Sequence, residues 1–372
     1  MYFDNSATTK IDERVVDAMI PFLKDRYGNP SSIYKSGQDI RREIDNAREI
    51  IANYINSEIQ EIVFTSGGSE SNNLAIKGTY EALKDKGQHI IISSIEHDSV
   101  LKTVQSLKGA EITYIKNDKF GNISLDDLEK SITDKTILVS IIYANSEIGT
   151  IQNIKEISKI VKEKGIIFHT DAMQAMKYLN MDVSELNVDL MTFGAHKING
   201  PKGVGALYIK RETPIKPLIS GGSQEYRIRG GTENVPGIIG FGKATEILKE
   251  ERDKRYKKVK HLRDSFEKEI LKIDNVNINS KADNRMPHLS NILFKNITSE
   301  SMLIQLDNNN IAASAGSACS SLSIEPSHVL KALGMSDTDV KHSVRFSFGH
   351  ENEEEEILKS INIIKDILKK YE

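Results

Sequence analysis

Between about residue 40 and residue 210, short apolar runs alternate with longer stretches whose apolar positions recur at helical spacing. Glu61–Thr65, His89–Ser93, Ile137–Tyr143, Ile166–His169, Val188–Phe193 and Val204–Ile209 read as strands, rich in Ile and Val. Leu74–Leu83 and Ile154–Glu163 carry the 3.6-residue pattern of amphipathic helices. Continuous apolar strands separated by helices predict an α/β fold with a mostly parallel sheet covered on both faces. Sheets of that kind place their sites beyond the carboxyl ends of the strands.

The pattern then changes. From about Gly240 to Ile273 the chain is one long charged amphipathic stretch, predicted to be a solvated helix that connects two units. Beyond it, strands are expected at Asn291–Phe294 and Val344–Phe348 and helices at Glu300–Leu306 and from Glu353, with a Ser/Ala/Gly loop among them. These make a smaller α+β unit. The acidic run Glu353–Glu356 suits the first turn of a helix.

Composition narrows the function. A chain of 372 residues is long enough for two structural units. Its 50 basic and 53 acidic residues give a net charge of −3, which argues against nucleic acid as a direct partner. No apolar run approaches the roughly 20 residues of a membrane span. The opening MYFDNSATTK has neither a basic flank nor an apolar core, so no secretory signal is expected and the location expected is cytoplasmic. The single cysteine, Cys319, cannot form an internal disulfide, which suits a reducing compartment. It lies in SAGSACSSLS, among small polar residues rather than the large apolar neighbours of a packed thiol, and reads as reactive.

Three places carry candidate chemistry. EIVFT runs into Ser66-Gly67-Gly68-Ser69 just before a helix, where glycines allow close approach and the helix start offers N–H groups to an anion. A plain strand-to-helix turn would look the same, and without a P-loop lysine a nucleoside triphosphate is not expected. Next, His169-Thr170-Asp171-Ala172-Met173-Gln174 follows a strand. Asp171 could face a cationic ring nitrogen, serve as a helix N-cap, or join His169 in a metal site; nearby further ligands for a metal are lacking. Finally, Lys197 in TFGAHKINGP stands 197 − 171 = 26 residues after Asp171, about one helix and one strand. An amine, a carboxylate and an anion-binding helix start together suggest pyridoxal 5'-phosphate.

With those residues in view, the chain resembles cysteine desulfurases of the NifS/IscS type, within the class V aminotransferases of fold type I. The resemblance covers nearly the whole length through YFDNSATT, YGNPSS, EIVFTSGGSESNNLAIKG, SIEHDSV, SEIGTIQ, HTDAMQ, HKINGPKGVGALYI, RIRGGTEN, SAGSACSSLSIEPSHVL and SVRFSFG. It implies a large pyridoxal-phosphate-binding domain over 12–250 and a small domain of 1–11 and 251–372 that carries the cysteine loop. It implies that Lys197 carries the cofactor, Asp171 pairs with the ring nitrogen, His97 stacks on the ring and moves protons, and Gln174 meets the phenolic oxygen. Asn145 and Ser146 stand at cofactor-contact positions, and Gly68, Ser69 and His196 match phosphate contacts. Thr232 matches a phosphate ligand from the other subunit of a homodimer, and Arg345 the residue that grips the substrate carboxylate.

The activity implied is the conversion of L-cysteine to L-alanine, with the sulfur taken as a persulfide on Cys319. It then passes to a protein acceptor in iron–sulfur cluster, thio-tRNA or cofactor synthesis. The long cysteine loop resembles the IscS/NifS group rather than the SufS group. Relatives that feed the iron–sulfur scaffold carry a longer C-terminal tail. Selenocysteine lyase is the nearest enzymatic alternative, and a non-catalytic relative acting as a binding partner the alternative of another class. Three positions depart from the family pattern: Ser146 replaces an Asn, Gly194 a phosphate-binding Ser, and Ser69 a Thr. Restoring Asn at 146 or Ser at 194 is expected to tighten cofactor binding.

Overall fold

Five strands with continuous apolar runs lie buried at the centre of a seven-stranded sheet. In the computed structural model, which describes residues 1–279, 284–316 and 326–371, the strands are β1 Ile62–Thr65, β2 His89–Ser93, β3 Glu111–Ile115, β4 Thr136–Ser140, β5 Ile167–Asp171, β6 Leu190–Gly194 and β7 Gly205–Ile209. Their order across the sheet is β1-β7-β6-β5-β4-β2-β3. Neighbours from β6 to β3 pair in parallel, whereas β7 is antiparallel to both β6 and β1. Two reversals cancel, so β1 runs in the same sense as β6, and their carboxyl ends share one edge.

The expected strands are present, with ends shifted by a few residues; β4 stops at Ser140, short of Tyr143. Strand β3 has no counterpart among the strands that the apolar pattern predicts. It sits at the sheet edge with only Ile115 buried, so it lacks the apolar run that marks its neighbours.

A second sheet, β10-β9-β8, is wholly antiparallel and comprises β8 Val276–Ile278, β9 Leu289–Phe294 and β10 Ser343–Ser347. The long charged stretch forms a helix over Val235–Ile270, 36 residues, or about 54 Å. Asn234 caps it by accepting from the Gly237 N–H at 3.2 Å. Ile238, Phe241 and Leu248 bury in the core around the large sheet, while Leu262, Phe266 and Ile270 bury beside the small one. The helix therefore links the two cores. The N-terminal residues belong with the small sheet: Phe3 packs on Phe348 with ring centroids 5.1 Å apart, and Asp4 bridges to Ser347. The chain next crosses the edge where the large sheet's parallel strands end. No helix among the described residues is long and apolar enough to cross a membrane.

Candidate active site

The turns after β1, β2, β4, β5 and β6 meet the N-terminal segment and β10 around a cleft of about 720 Å³, part of it open to solvent. Gly68, Ser69, His97, Ser146, Asp171, Gln174, His196, Lys197 and Arg345 all line it. Among the cofactor residues expected from the sequence, Asn145 and Thr232 do not.

Lys197 ends a short 3₁₀ turn after β6. Its Nζ donates to the carbonyls of Ser6 and Ala7, the latter at 2.8 Å. Gln174 Nε2 donates to the same Ser6 carbonyl at 2.9 Å. The N-terminal segment thus holds the amine that the sequence singled out.

Asp171 ends β5, 4% exposed. One of its oxygens accepts from the Met173 N–H at 3.0 Å, the other from Asn72 Nδ2 at 2.7 Å. Asn72 Nδ2 also donates to Ser99 Oγ at 2.8 Å, and Ser99 Oγ lies 2.8 Å from His97 Nδ1. Because the Ser99 N–H donates to Nδ1 at 3.1 Å, a neutral His97 carries its proton on Nε2. A hydrogen-bonded chain therefore joins Asp171 to His97. Asn72 and Ser99, which complete it, are not singled out by the sequence, where SGGSESNN reads as an anion-binding or a plain strand-to-helix turn.

Arg345, on β10, is fully buried and spans the two units. Its Nη2 donates to Asp4 Oδ1 at 2.7 Å and its Nη1 to the Ser146 carbonyl at 3.0 Å. Its Nε has no hydrogen-bond partner among the described residues. Ser314 Oγ donates to the other oxygen of Asp4 at 2.7 Å. Asn145, expected at a cofactor-contact position, is hydrogen-bonded within the chain. Its amide donates to the Ile95 carbonyl at 2.9 Å, and its oxygen accepts from the N–H groups of Glu147 and Ile148. That side chain shapes the turn presenting Ser146.

At the other end of the cleft, Gly67 caps the helix Gly68–Leu83 with φ +150°, a conformation reserved for glycine. Gly68 and Ser69 open that helix, whose first N–H groups lack intrahelical partners. His196 Nδ1 lies 3.2 Å from Thr8 Oγ1, and burial, aided by Lys197 and Lys202, pushes its pKa down to about 3. It is a neutral donor at pH 7. Thr232 is exposed and borders a separate hollow with Arg229 and Glu233.

The metal alternative at His169 finds no support. Its ring nitrogens lie 2.8 Å from Ser140 Oγ and 3.1 Å from Thr192 Oγ1, so both are engaged. Burial lowers its pKa to about 3. His169 is a neutral core residue that braces three strands.

Cys319 lies outside the described residues. The flanks of its segment converge on one carboxylate: Ser327 Oγ donates to Glu147 Oε2, and a Cβ placed on Gly316 would lie 3.4 Å from the same oxygen. Glu147 adjoins cleft-lining Ser146. His328 Nε2 meets the Glu96 carbonyl at 2.9 Å, anchoring the second flank beside His97.

The donor set suits a ligand with an anionic group, a cationic aromatic nitrogen and an aldehyde. Comparison with known proteins points the same way. Residues 1–359 match the model of the aminotransferase class-V family. The chain is 47% identical over 372 residues to the cysteine desulfurase IscS of Methanosarcina thermophila, covering all of this chain and 92% of that one. A solved NifS-like protein superposes with a TM-score of 0.94 at 36% identity, covering 99% of both chains. The structure of SspA in complex with cysteine gives 0.83 at 37% identity, covering 94% of this chain and 98% of that one.

Proposed function

We propose a division of labour among the cleft residues of this chain, which belongs to the class V aminotransferase family and is a cysteine desulfurase. Lys197 holds pyridoxal 5'-phosphate covalently, Asp171 faces its ring nitrogen, and His97 covers the ring. Gly68, Ser69 and His196 receive the phosphate, joined by the partner subunit's Thr232 in a homodimer. The exposed position of Thr232, away from its own chain's cleft, favours service to a second copy. Residues 12–250 form the cofactor-binding unit, and residues 1–11 with 251–372 the unit that carries Cys319.

When bound, the cofactor supplies an aldehyde that takes up amines and a ring that accepts the electron pair left at Cα. The protein does the rest. Asp171, as the anion opposite the ring nitrogen, keeps that nitrogen protonated. With the substrate amine in its place on the cofactor, the amine of Lys197, held by the Ser6 and Ala7 carbonyls, would serve as the base for the Cα proton. Arg345, pinned by Asp4 and the Ser146 carbonyl, fixes the substrate carboxylate and hence the direction in which the cysteine side chain points.

The thiolate of Cys319 attacks the substrate sulfur. An S–S bond forms, the substrate C–S bond breaks with its electron pair retained by the carbon fragment, and a proton returned to that carbon completes L-alanine. L-cysteine plus the enzyme thiol thus gives L-alanine plus the enzyme persulfide. Cys319 stands three residues beyond Gly316, whose neighbourhood borders the cleft through Glu147. The persulfide passes to a protein acceptor in the cytoplasm.

The observation that carries this reading is the meeting, in one cleft, of Lys197, Asp171 and Arg345 from β6, β5 and the second sheet. Its test is Cys319→Ser. The variant should still change the cofactor's visible spectrum when cysteine is added, while accumulating no persulfide and releasing little sulfide. Wild-type sulfide release by the variant would remove Cys319 from the mechanism. Turnover of selenocysteine alone would favour the lyase.

A further inference from the structure

Gly194 leaves a gap in the sequence pattern, but not in the structure. A Cβ built there would meet Met173 Cε at 3.0 Å and Sδ at 3.1 Å. A Cβ on Gly68, at the start of the helix, would meet the same Sδ at 2.8 Å. The thioether of Met173 therefore occupies the wedge between the end of β6 and the helix start. It lines the cleft alongside Gly68, Ser69 and His196. Its backbone is fixed as well, since the Met173 N–H donates to Asp171 Oδ1 at 3.0 Å. A water cannot fill a space that a side chain already holds.

We propose that Met173 is a positioning residue for the cofactor phosphate, its thioether reaching from the turn after β5 into the place a side chain at 194 would take and setting the width of the anion cradle. The inference rests on the cofactor reading above and revises one of its expectations. Gly194→Ser does not simply restore a donor. The new side chain would crowd the Met173 thioether at 3.0 Å, and the methionine must shift within the cleft to admit it, so the two positions are coupled. Shortening Met173 relieves that crowding, so that a serine at 194 can donate, a bond to a charged group then giving about tenfold or more in affinity.

The test is a titration of four apoproteins (wild type, Met173→Ala, Gly194→Ser and the double variant) with pyridoxal phosphate and with pyridoxal, followed by visible absorbance. Gly194→Ser alone should bind pyridoxal phosphate no more tightly than wild type, and the double variant about tenfold more tightly than Gly194→Ser. Pyridoxal, which lacks the phosphate, should bind all four within about threefold. A Gly194→Ser protein that gains the full affinity alone, or pyridoxal affinities that shift as much as those of the phosphate, would overturn the role of Met173 and leave the cofactor reading intact. A wild-type apoprotein that colours with neither compound would overturn both. Wild-type protein provides a second measurement that needs no variant. Inorganic phosphate should slow peroxide oxidation of Met173 while leaving the partly buried Met335 unchanged. Equal, unaltered rates at both residues would count against the proposal.

Discussion

Asp4 holds Arg345. The carboxylate accepts from Nη2 at 2.7 Å, across 341 residues of sequence, and is itself braced by Ser314 Oγ. A guanidinium set by a carboxylate on one side and the Ser146 carbonyl on the other has lost most of its rotational freedom before any substrate arrives. Asp4→Asn weakens that hold. It should raise KM for cysteine about tenfold, the scale of one charge-assisted hydrogen bond, and leave kcat within about threefold. Steady-state kinetics at constant pH checks it, and an unchanged KM would show that Arg345 is oriented without Asp4.

The chain from Asp171 through Asn72 and Ser99 to His97 predicts the opposite kinetic pattern. Asn72→Ala removes the 2.7 Å bond to Asp171 and the 2.8 Å bond to Ser99 in one step. In the proposed mechanism Asp171 faces the ring nitrogen and Ser99 holds His97, and neither meets the substrate carboxylate. The expected result is a kcat lowered about tenfold or more, with KM changed less than threefold. A rise in KM alone would place Asn72 in substrate binding.

The two residues completing that chain show what was hard to read in the sequence. Lys197 and Asp171 announced themselves because about one helix and one strand separate them, a spacing that local pattern can supply. Strand β2 and the helix Ile154–Glu163 were legible for the same reason: their apolar periodicity is local. Asn72 bonds to a residue 99 positions away, and Asp4 to one 341 away. No local signal marks an ordinary Asn or Asp for such a task. Met173 carries no signal of its own inside HTDAMQ, since only the folded chain brings Gly68 and Gly194 to its two sides. Asn145 likewise donates to a carbonyl 50 positions away, a contact that its motif does not reveal.

A buried carboxyl next to His97 predicts a pH dependence of stability. Glu96 accepts from Ser93 Oγ and from the Ile142 N–H at 2.7 Å, yet burial pushes its pKa up to about 8 from the ordinary 4.5. Between those values the folded chain holds a proton that the unfolded chain has released. The contribution of this group to stability is therefore full below about pH 4.5 and falls as pH rises towards 8, by at most about 1.4 kcal/mol per pH unit. Glu96→Gln cannot titrate. Its unfolding midpoint, relative to wild type, should rise steadily between about pH 5 and pH 8. A difference independent of pH would mean that Glu96 is ionised in the folded protein.

Every role assigned in the cleft is set by where the cofactor is attached. Lys197 is held by Ser6 and Ala7 at the end of β6, with Lys177 and Lys202 nearby in sequence. Borohydride reduction of the yellow holoprotein, followed by peptide mapping, identifies the amine that the cofactor has joined. The account predicts the label on the peptide containing Lys197 and a colourless Lys197→Ala variant. A label on Lys177 or Lys202, or a Lys197→Ala protein that stays yellow and reducible, would contradict it.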